Sequence, residues 1–436
     1  MNTVFVCDNI SENAEGHLTF AGQDVTLLAK EYGTPLYLLD EDRIRKNMRV
    51  YKENFAKCFP HGSMPLYASK ASSFAQIYRI AAEEDMDIDV VSSGEIFTAM
   101  KAGYDLSRAH FHSNNKTDED VAFAMDRHIG YFVVDNREEI DVIEREAEKR
   151  GITQKILLRL TPGIDTHTYA AVATGLVNSK FGTAIETGQA EEMTNYVLTK
   201  KHIDLRGFHC HVGSQVFAED VFERAAVIML RFIAHMYKET GYLAPELDLG
   251  GGYGVRYVNA DPYLEIATKI MSVAAAVNRE CVALGIPVPA ILMEPGRSIV
   301  ADAGMTLYTI GTVKRITGYL NYVSIDGGMT DNPRFALYGS RYTCFNASRM
   351  NEECGMVASL VGRCCESGDI IQENVPFPVA TCRGDIAAVC TTGAYNYSMA
   401  SNYNRIPRPA VVMLKDGGSY VAVKRETLED LVALDL

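Results

Sequence analysis

Between residues 64 and 297 the chain repeats one pattern. A strand-length apolar run ends in a polar or glycine-rich turn, and a segment with helical spacing follows. The runs are 64–70 (MPLYASK), 87–93 (DIDVVSS), 110–114 (HFHSN), 131–135 (YFVVD), 155–160 (KILLRL), 205–211 (LRGFHCH), 246–250 (ELDLG) and 290–294 (AILME). Such continuous apolarity fits parallel strands covered on both faces. Segments 137–150, 220–237 and 263–284 read as amphipathic helices, and Thr117 with Asp120 reads as a capping box ahead of 121–127. Strand–helix alternation implies right-handed βαβ units, and eight of them imply a closed (β/α)8 barrel of TIM type, with an open doubly wound sheet as the alternative.

Past about residue 302 the texture changes to short runs rich in β-branched residues, separated by Gly, Asn, Asp or Pro: 306–314, 322–325, 369–371, 409–413 and 419–423. That is the signature of a mostly antiparallel β domain. Runs 18–20 and 25–28 are expected to add strands to it. The expected division is 1–34 as N-terminal strands of the β domain, 35–302 as the barrel and 303–436 as the C-terminal β domain.

Composition changes this picture little. The 436 residues carry 42 Lys+Arg against 56 Asp+Glu, a net charge of −14, which disfavours a nucleic-acid or anionic-membrane surface. The N-terminus lacks a basic stretch followed by an apolar one, and no uncharged apolar run is long enough for a membrane helix, so a cytoplasmic location is expected. Ten cysteines without a Cys-x-x-Cys pair fit reduced thiols better than a disulfide framework or zinc site.

A barrel of this kind gathers function at the C-terminal ends of its strands. Lys70, Asp89, Ser92, Ser93, His112, Asn114, Asn115, Arg159, His209, His211, Asp248, 250–252, Glu294 and Arg297 all fall there. The glycine run 250–252 ends the seventh strand and Glu-Pro-Gly-Arg (294–297) the eighth. Loops in these positions can cradle phosphate through bare N–H groups, although a plain turn has the same composition. Lys70 follows apolar neighbours, as a Schiff-base amine would, or as a strand-end lysine that snorkels to solvent. A Schiff-base lysine, a phosphate cradle and a strand-end acid, Glu294, together fit pyridoxal phosphate. The pair His209 and His211 invites a metal reading, but no further ligands can be assembled, and no metal is expected.

Ten motifs in order then resemble one family, the fold-type III pyridoxal-phosphate decarboxylases, most closely its members acting on diaminopimelate. They are YASKA (67–71), DVVSSGE (89–95), HSNNK (112–116), SKFG (179–182), GFHCHVGSQ (207–215), DLGGGYG (248–254), EPGR (294–297), DNPRFALYG (331–339), CESGD (365–369) and GAYNYSMASNYN (393–404). The resemblance implies that Lys70 forms the Schiff base with pyridoxal 5'-phosphate, with Asp89 nearby, His211 stacked on the ring and Glu294 at the pyridine nitrogen. Ser214, Gly252, Gly296, Arg297 and Tyr395 would hold the phosphate or its surroundings. Cys365 would return the proton after CO2 leaves. Cys365 and Glu366 would serve the neighbouring subunit's site in a homodimer.

The implied reaction takes meso-2,6-diaminopimelate to L-lysine and CO2, the last step of lysine biosynthesis. Arg297 and Arg334 would bind carboxylates with their planar donors, Tyr338 and Tyr395 would add hydroxyls, and Glu366 would meet the distal ammonium. An enzyme for another basic amino acid, of lysine or ornithine type, has no distal carboxylate to pair with Arg334 and is the alternative. Ser93, Phe335 and the pair Arg363–Cys364 depart from the family's usual residues. The vicinal pair Cys364–Cys365 could also make the thiol easier to oxidise.

Overall fold

The computed structural model describes residues 4–164 and 178–436. The chain forms two compact units: Asn47–Gly254 with Leu264–Ser298, and Met1–Lys46 with Val255–Tyr263 and Ile299–Leu436.

The first unit is the barrel. Its strands are Met64–Ala68, Asp87–Val90, Ala109–Phe111, Tyr131–Val134, Gln154–Thr161, Ile203–His209, Glu246–Asp248 and Ala290–Met293. Every neighbouring pair is parallel, and the eighth strand returns to the first through Leu292 opposite Met64, which closes the ring. Leu66, Val133, Leu157 and Leu292 fill part of its interior. The helix boundaries follow their caps. Thr117 and Asp120 form the reciprocal capping box at Asp118–Met125. Asn136 caps Arg137–Arg150, which ends on Gly151 in the left-handed conformation.

Register is what makes a site of this ring. Ala68 lies opposite Asp89 and Asp89 opposite His110, while His209 lies opposite both Arg159 and Asp248. The polar strand ends therefore share one rim.

The second unit is a mixed, mostly antiparallel sheet built around the long strand Gly304–Lys314. That strand pairs antiparallel with Leu36–Asp40, Asn321–Ile325 and Ile386–Cys390. Asn321–Ile325 runs parallel to Cys354–Val361, which pairs antiparallel with Ile370–Pro378. Its core includes Leu18, Phe20, Leu36, Leu38, Met305, Leu307 and Val412.

Three assignments from sequence change here. Leu36–Asp40, counted with the barrel by the boundary at 35, is an interior strand of the β sheet, between Gly304–Lys314 and Ala410–Lys415 and buried at all five positions. Its unbroken apolar run reads the same in either sheet. Residues 25–28 are not a strand but the start of the helix Val25–Tyr32, because the Asp24 side chain accepts from the N–H groups of Thr26 and Leu27. Leu18–Phe20 is a strand, but it belongs to a separate three-stranded sheet with Ile10–Glu12 and Gln23–Asp24.

Candidate active site

Lys70 sits in the 3-10 turn Ser69–Ala71 directly after the first barrel strand. Its Nζ lies 3.3 Å from Asp89 Oδ2. Leu66, Tyr67 and Ala68 are buried, but the lysine side chain itself is 38% exposed while Asp89 is fully buried. The apolar company of Lys70 in the sequence thus belongs to the strand, and the amine reaches the open side of the rim. The turn is held by Glu95, a residue of DVVSSGE (89–95) for which the family resemblance implies no role. Ser69 Oγ lies 2.6 Å from the Asp89 carbonyl and 2.9 Å from Glu95 Oε2, and that oxygen also accepts the Val91 N–H. Burial pushes the Glu95 carboxyl up to about 6.

Next to Lys70 around the ring, past the seventh and eighth strands, backbone approaches backbone closely. A Cβ on Gly251 would lie 2.1 Å from the Glu294 carbonyl oxygen, and one on Gly252, whose φ is +121°, would lie 2.1 Å from that of Gly213. Only glycine fits either position. Gly296 is packed against Ala68 and Ala71. Arg297, 6% exposed, donates from Nη2 to Ser214 Oγ at 2.9 Å. Ser214, Gly252, Gly296 and Arg297 all belong to the barrel unit, and they offer N–H, hydroxyl and guanidinium donors of the kind an anion requires. His211 accepts the Gly251 N–H at Nδ1, 3.2 Å away, and desolvation together with the charges of Lys70 and Arg159 holds its imidazole well below the ordinary histidine range.

Glu294 is buried among histidines. His209 Nε2 lies 3.3 Å from its Oε2 and His112 Nε2 lies 2.7 Å from its Oε1, all three side chains being buried. Burial would raise the Glu294 carboxyl, but the two imidazoles outweigh it and keep the group well below its ordinary range. Burial drives His209 down to about 4, so it is neutral near pH 7. The trio also qualifies by residue type as a metal-ligand set, one the sequence reading could not assemble. Two ligands on a tetrahedral ion with bonds of about 2.1 Å stand about 3.4 Å apart. His112 Nε2 and Glu294 Oε1 are closer than that, in direct polar contact. The arrangement fits a carboxylate bonded by its neighbours better than a coordination sphere.

In the β unit, Arg334 and Tyr338 begin and end the short helix Arg334–Tyr338. The Arg334 guanidinium is 7% exposed, 5.7 Å from the Tyr338 ring centre and 5.3 Å from that of Tyr395. It donates to Ser340 Oγ at 3.2 Å, and its Nε has no hydrogen-bond partner. No described carboxylate pairs with it; the groups that hold its charge against burial are Tyr257, Tyr342 and Tyr395. Tyr395 has φ +67°, unusual for a non-glycine residue. Cys365 and Glu366 lie exposed between Cys354–Val361 and Ile370–Pro378, with the Cys365 N–H donating to Asn404 Oδ1 at 2.8 Å. Burial and Asp369 push the neighbouring Cys364 thiol up to about 11.

An amine and a set of anion-binding donors on the rim of a (β/α)8 barrel define a class before they define an enzyme. Residues 41–301 match the family described as "Pyridoxal-dependent decarboxylase, pyridoxal binding domain", and the chain belongs to that family. Within it, the chain is similar over its whole length to diaminopimelate decarboxylases. It is 42% identical to that of Bacillus subtilis (strain 168), covering 99% of this chain and 98% of the relative, and 43% identical to that of Staphylococcus aureus (strain COL), covering 98% and 99%. The crystal structure of diaminopimelate decarboxylase from M. jannaschii in co-complex with L-lysine superposes with a TM-score of 0.89 at 30% identity, covering 98% of each chain.

The family's cofactor, pyridoxal phosphate, fits the residues present. Glu294 Oε1 is a fully buried oxygen without a well-aligned hydrogen-bond donor among the described residues, suited to a protonated ring nitrogen, and Arg297 beside Ser214 offers a phosphate a guanidinium and a hydroxyl.

Proposed function

We propose that this chain decarboxylates meso-2,6-diaminopimelate to L-lysine and CO2, closing lysine biosynthesis, with Lys70 as the amine that binds the pyridoxal 5'-phosphate aldehyde. The observation that carries the substrate assignment is Arg334, a buried guanidinium flanked by tyrosines and paired with no described carboxylate. A buried charge left unpaired costs several kcal/mol, roughly. A substrate bearing a carboxylate at its far end removes that cost, and lysine or ornithine cannot.

The bound cofactor supplies the electron sink for the carbon that loses CO2. The protein's own groups supply the rest. Glu294 would hold a proton at the ring nitrogen, His211 would lie against the ring, and Asp89, 3.3 Å from the Lys70 amine, would orient it. Ser214, Gly252, Gly296, Arg297 and Tyr395 bind the phosphate and its surroundings. Departure of CO2 leaves an electron pair on the α-carbon, and Cys365 delivers the proton that completes the new C–H bond. Arg297, Arg334, Tyr338 and Tyr395 bind the substrate's polar ends, with Glu366 on the distal ammonium. The working form is a homodimer in the cytoplasm, each subunit lending Cys365 and Glu366 to the other. Among the described residues no helix is long and apolar enough to cross a membrane, which is compatible with that location.

A CO2-release assay across diaminopimelate stereoisomers, lysine, ornithine and arginine tests the proposal. Release from the meso isomer alone, with L-lysine as product, is expected. Faster release from lysine or ornithine would replace the proposal with a basic amino-acid decarboxylase.

A further inference from the structure

Glu294 has more neighbours than a lone acid at a ring nitrogen requires. We propose that His209, Asp248 and His112 are positioning residues that lock the Glu294 carboxylate and leave its Oε1 to face the cofactor's ring nitrogen. This deepens the proposed function and rests on that reading.

His209 ends the sixth barrel strand, and Asp248, which ends the seventh, is its register partner. Glu294 follows the eighth and is tied back to the seventh by its N–H to the Gly250 carbonyl at 2.9 Å. Three adjacent strands therefore fix three side chains with little backbone freedom between them.

A neutral imidazole has one N–H, and placing it on Nε2 satisfies Glu294 Oε2. The cost is a bare lone pair on Nδ1, which is indeed buried without a partner. Desolvation keeps the ring from taking a second proton. Asp248 is fully buried; its Oδ1 accepts the Gly250 N–H at 2.8 Å and its Oδ2 has no donor facing it. Two carboxylates cannot both stay ionised in one dry site. Burial and the Glu294 charge drive Asp248 well above the ordinary carboxyl range. Asp248 is thus the neutral acid of the pair, within hydrogen-bond reach of Glu294, and its proton stabilises the Glu294 anion.

His112 completes the setting. Its ring meets that of His209 edge-on, with centroids 5.0 Å apart. Its Nε2 is 2.7 Å from Glu294 Oε1 but out of line with its own N–H direction, so it walls that oxygen without satisfying it. His110, His211, Arg159, Asp89, Asp135 and Cys210 are further ionisable groups close to this cluster.

The test uses full-length apo-protein titrated with pyridoxal phosphate labelled with 15N in the ring. Cofactor affinity is read from absorbance, and ring protonation from the 15N signal as pH is raised. His209→Phe should weaken cofactor binding about tenfold or more, the loss of one charge-assisted hydrogen bond, and the ring nitrogen should lose its proton at lower pH than in the wild type. His209→Gln, which keeps an N–H donor, should recover most of both. Asp248→Asn copies a protonated carboxyl and should keep cofactor affinity within about twofold of the wild type, while Asp248→Leu should match His209→Phe. The inference is overturned if His209→Phe keeps wild-type affinity and ring protonation while only its melting temperature falls, or if Asp248→Asn is as damaging as Asp248→Leu. Should His209→Phe fail to fold, His209→Gln and the Asp248 pair still decide. A wild-type protein that binds no pyridoxal phosphate would sink the functional reading itself, a separate outcome.

Discussion

At the barrel rim the charged groups answer one another. Glu294 is bonded by His209, Lys70 stands beside Asp89, and Arg297 donates to Ser214. Below them Lys116 and Glu139 form a buried pair at 2.7 Å, and the same ammonium donates to the Val133 carbonyl at 2.8 Å. In the β unit the polar groups near Arg334 are left open. Its Nε, both amide ends of the buried Asn332 and Nδ2 of the buried Asn396 lack hydrogen-bond partners. A site that repeats the same chemistry on every turnover gains from charged groups held in place by their partners, even where single polar atoms such as Glu294 Oε1 stay open for the cofactor. A site that reads a substrate gains when its buried donors are completed only by the right ligand, because the wrong one leaves them unpaired. On that reading the barrel carries the amine and the acid at the ring nitrogen, and Arg334 in the β unit carries the choice of substrate.

The largest effect that could break this division is at the amine. Lys70→Ala should reduce CO2 release to background while leaving the fold intact, as judged by circular dichroism. Substantial residual turnover would move the chemistry elsewhere.

Next is the cradle. Gly252→Ala forces a Cβ against the Gly213 carbonyl at a φ that side chains avoid. Binding of pyridoxal phosphate should weaken by about a hundredfold, roughly 3 kcal/mol, in an equilibrium absorbance titration.

The scaffold beneath the rim comes third. Lys116→Ala leaves Glu139 charged and alone in the interior, a loss of about 3–5 kcal/mol in urea unfolding. Lys116→Met combined with Glu139→Leu should recover much of it. Additive losses would show that the pair itself is not what matters.

A pH-dependent effect sharpens the β unit's side. Burial pushes Asp331, three residues before Arg334, up to about 7, although the Tyr308 hydroxyl and the Gly328 N–H bond its carboxyl. The folded state therefore holds a proton that the unfolded chain releases near pH 4, and this group's contribution to stability falls as pH rises from about 4 to 7. Asp331→Asn should remove that slope. The variant's stability relative to wild type should rise across this range by up to about 4 kcal/mol, measured by urea unfolding at several pH values.

Much of this was legible because a parallel barrel writes its own signature. Each strand is an apolar run, each run ends in the residues of the rim, and helix caps such as Thr117–Asp120 mark the intervals. What stayed hidden depends on pairing. Leu36–Asp40 has the composition of a barrel strand, and only its partners place it in the other sheet. Helix Val25–Tyr32 turned on one cap, Asp24, ahead of a short apolar run that reads as a strand when cut at residue 28. His112, His209 and Asp248 were visible as strand ends, but their convergence on Glu294 follows from ring closure, which no local pattern encodes. Arg334 stood out through resemblance alone, and its lack of a carboxylate partner is a property of the folded chain.

The division between the two units is tested most directly by kcat/KM for meso-diaminopimelate and for lysine, measured side by side in the wild type and in Arg334→Met. Removing one member of a buried charge pair costs about 2–5 kcal/mol. The diaminopimelate value should therefore fall about thirtyfold to several thousandfold, while the lysine value stays level or rises and cofactor absorbance is unchanged. Equal losses for both substrates, or an unchanged value for diaminopimelate, would contradict the assignment of substrate choice to Arg334.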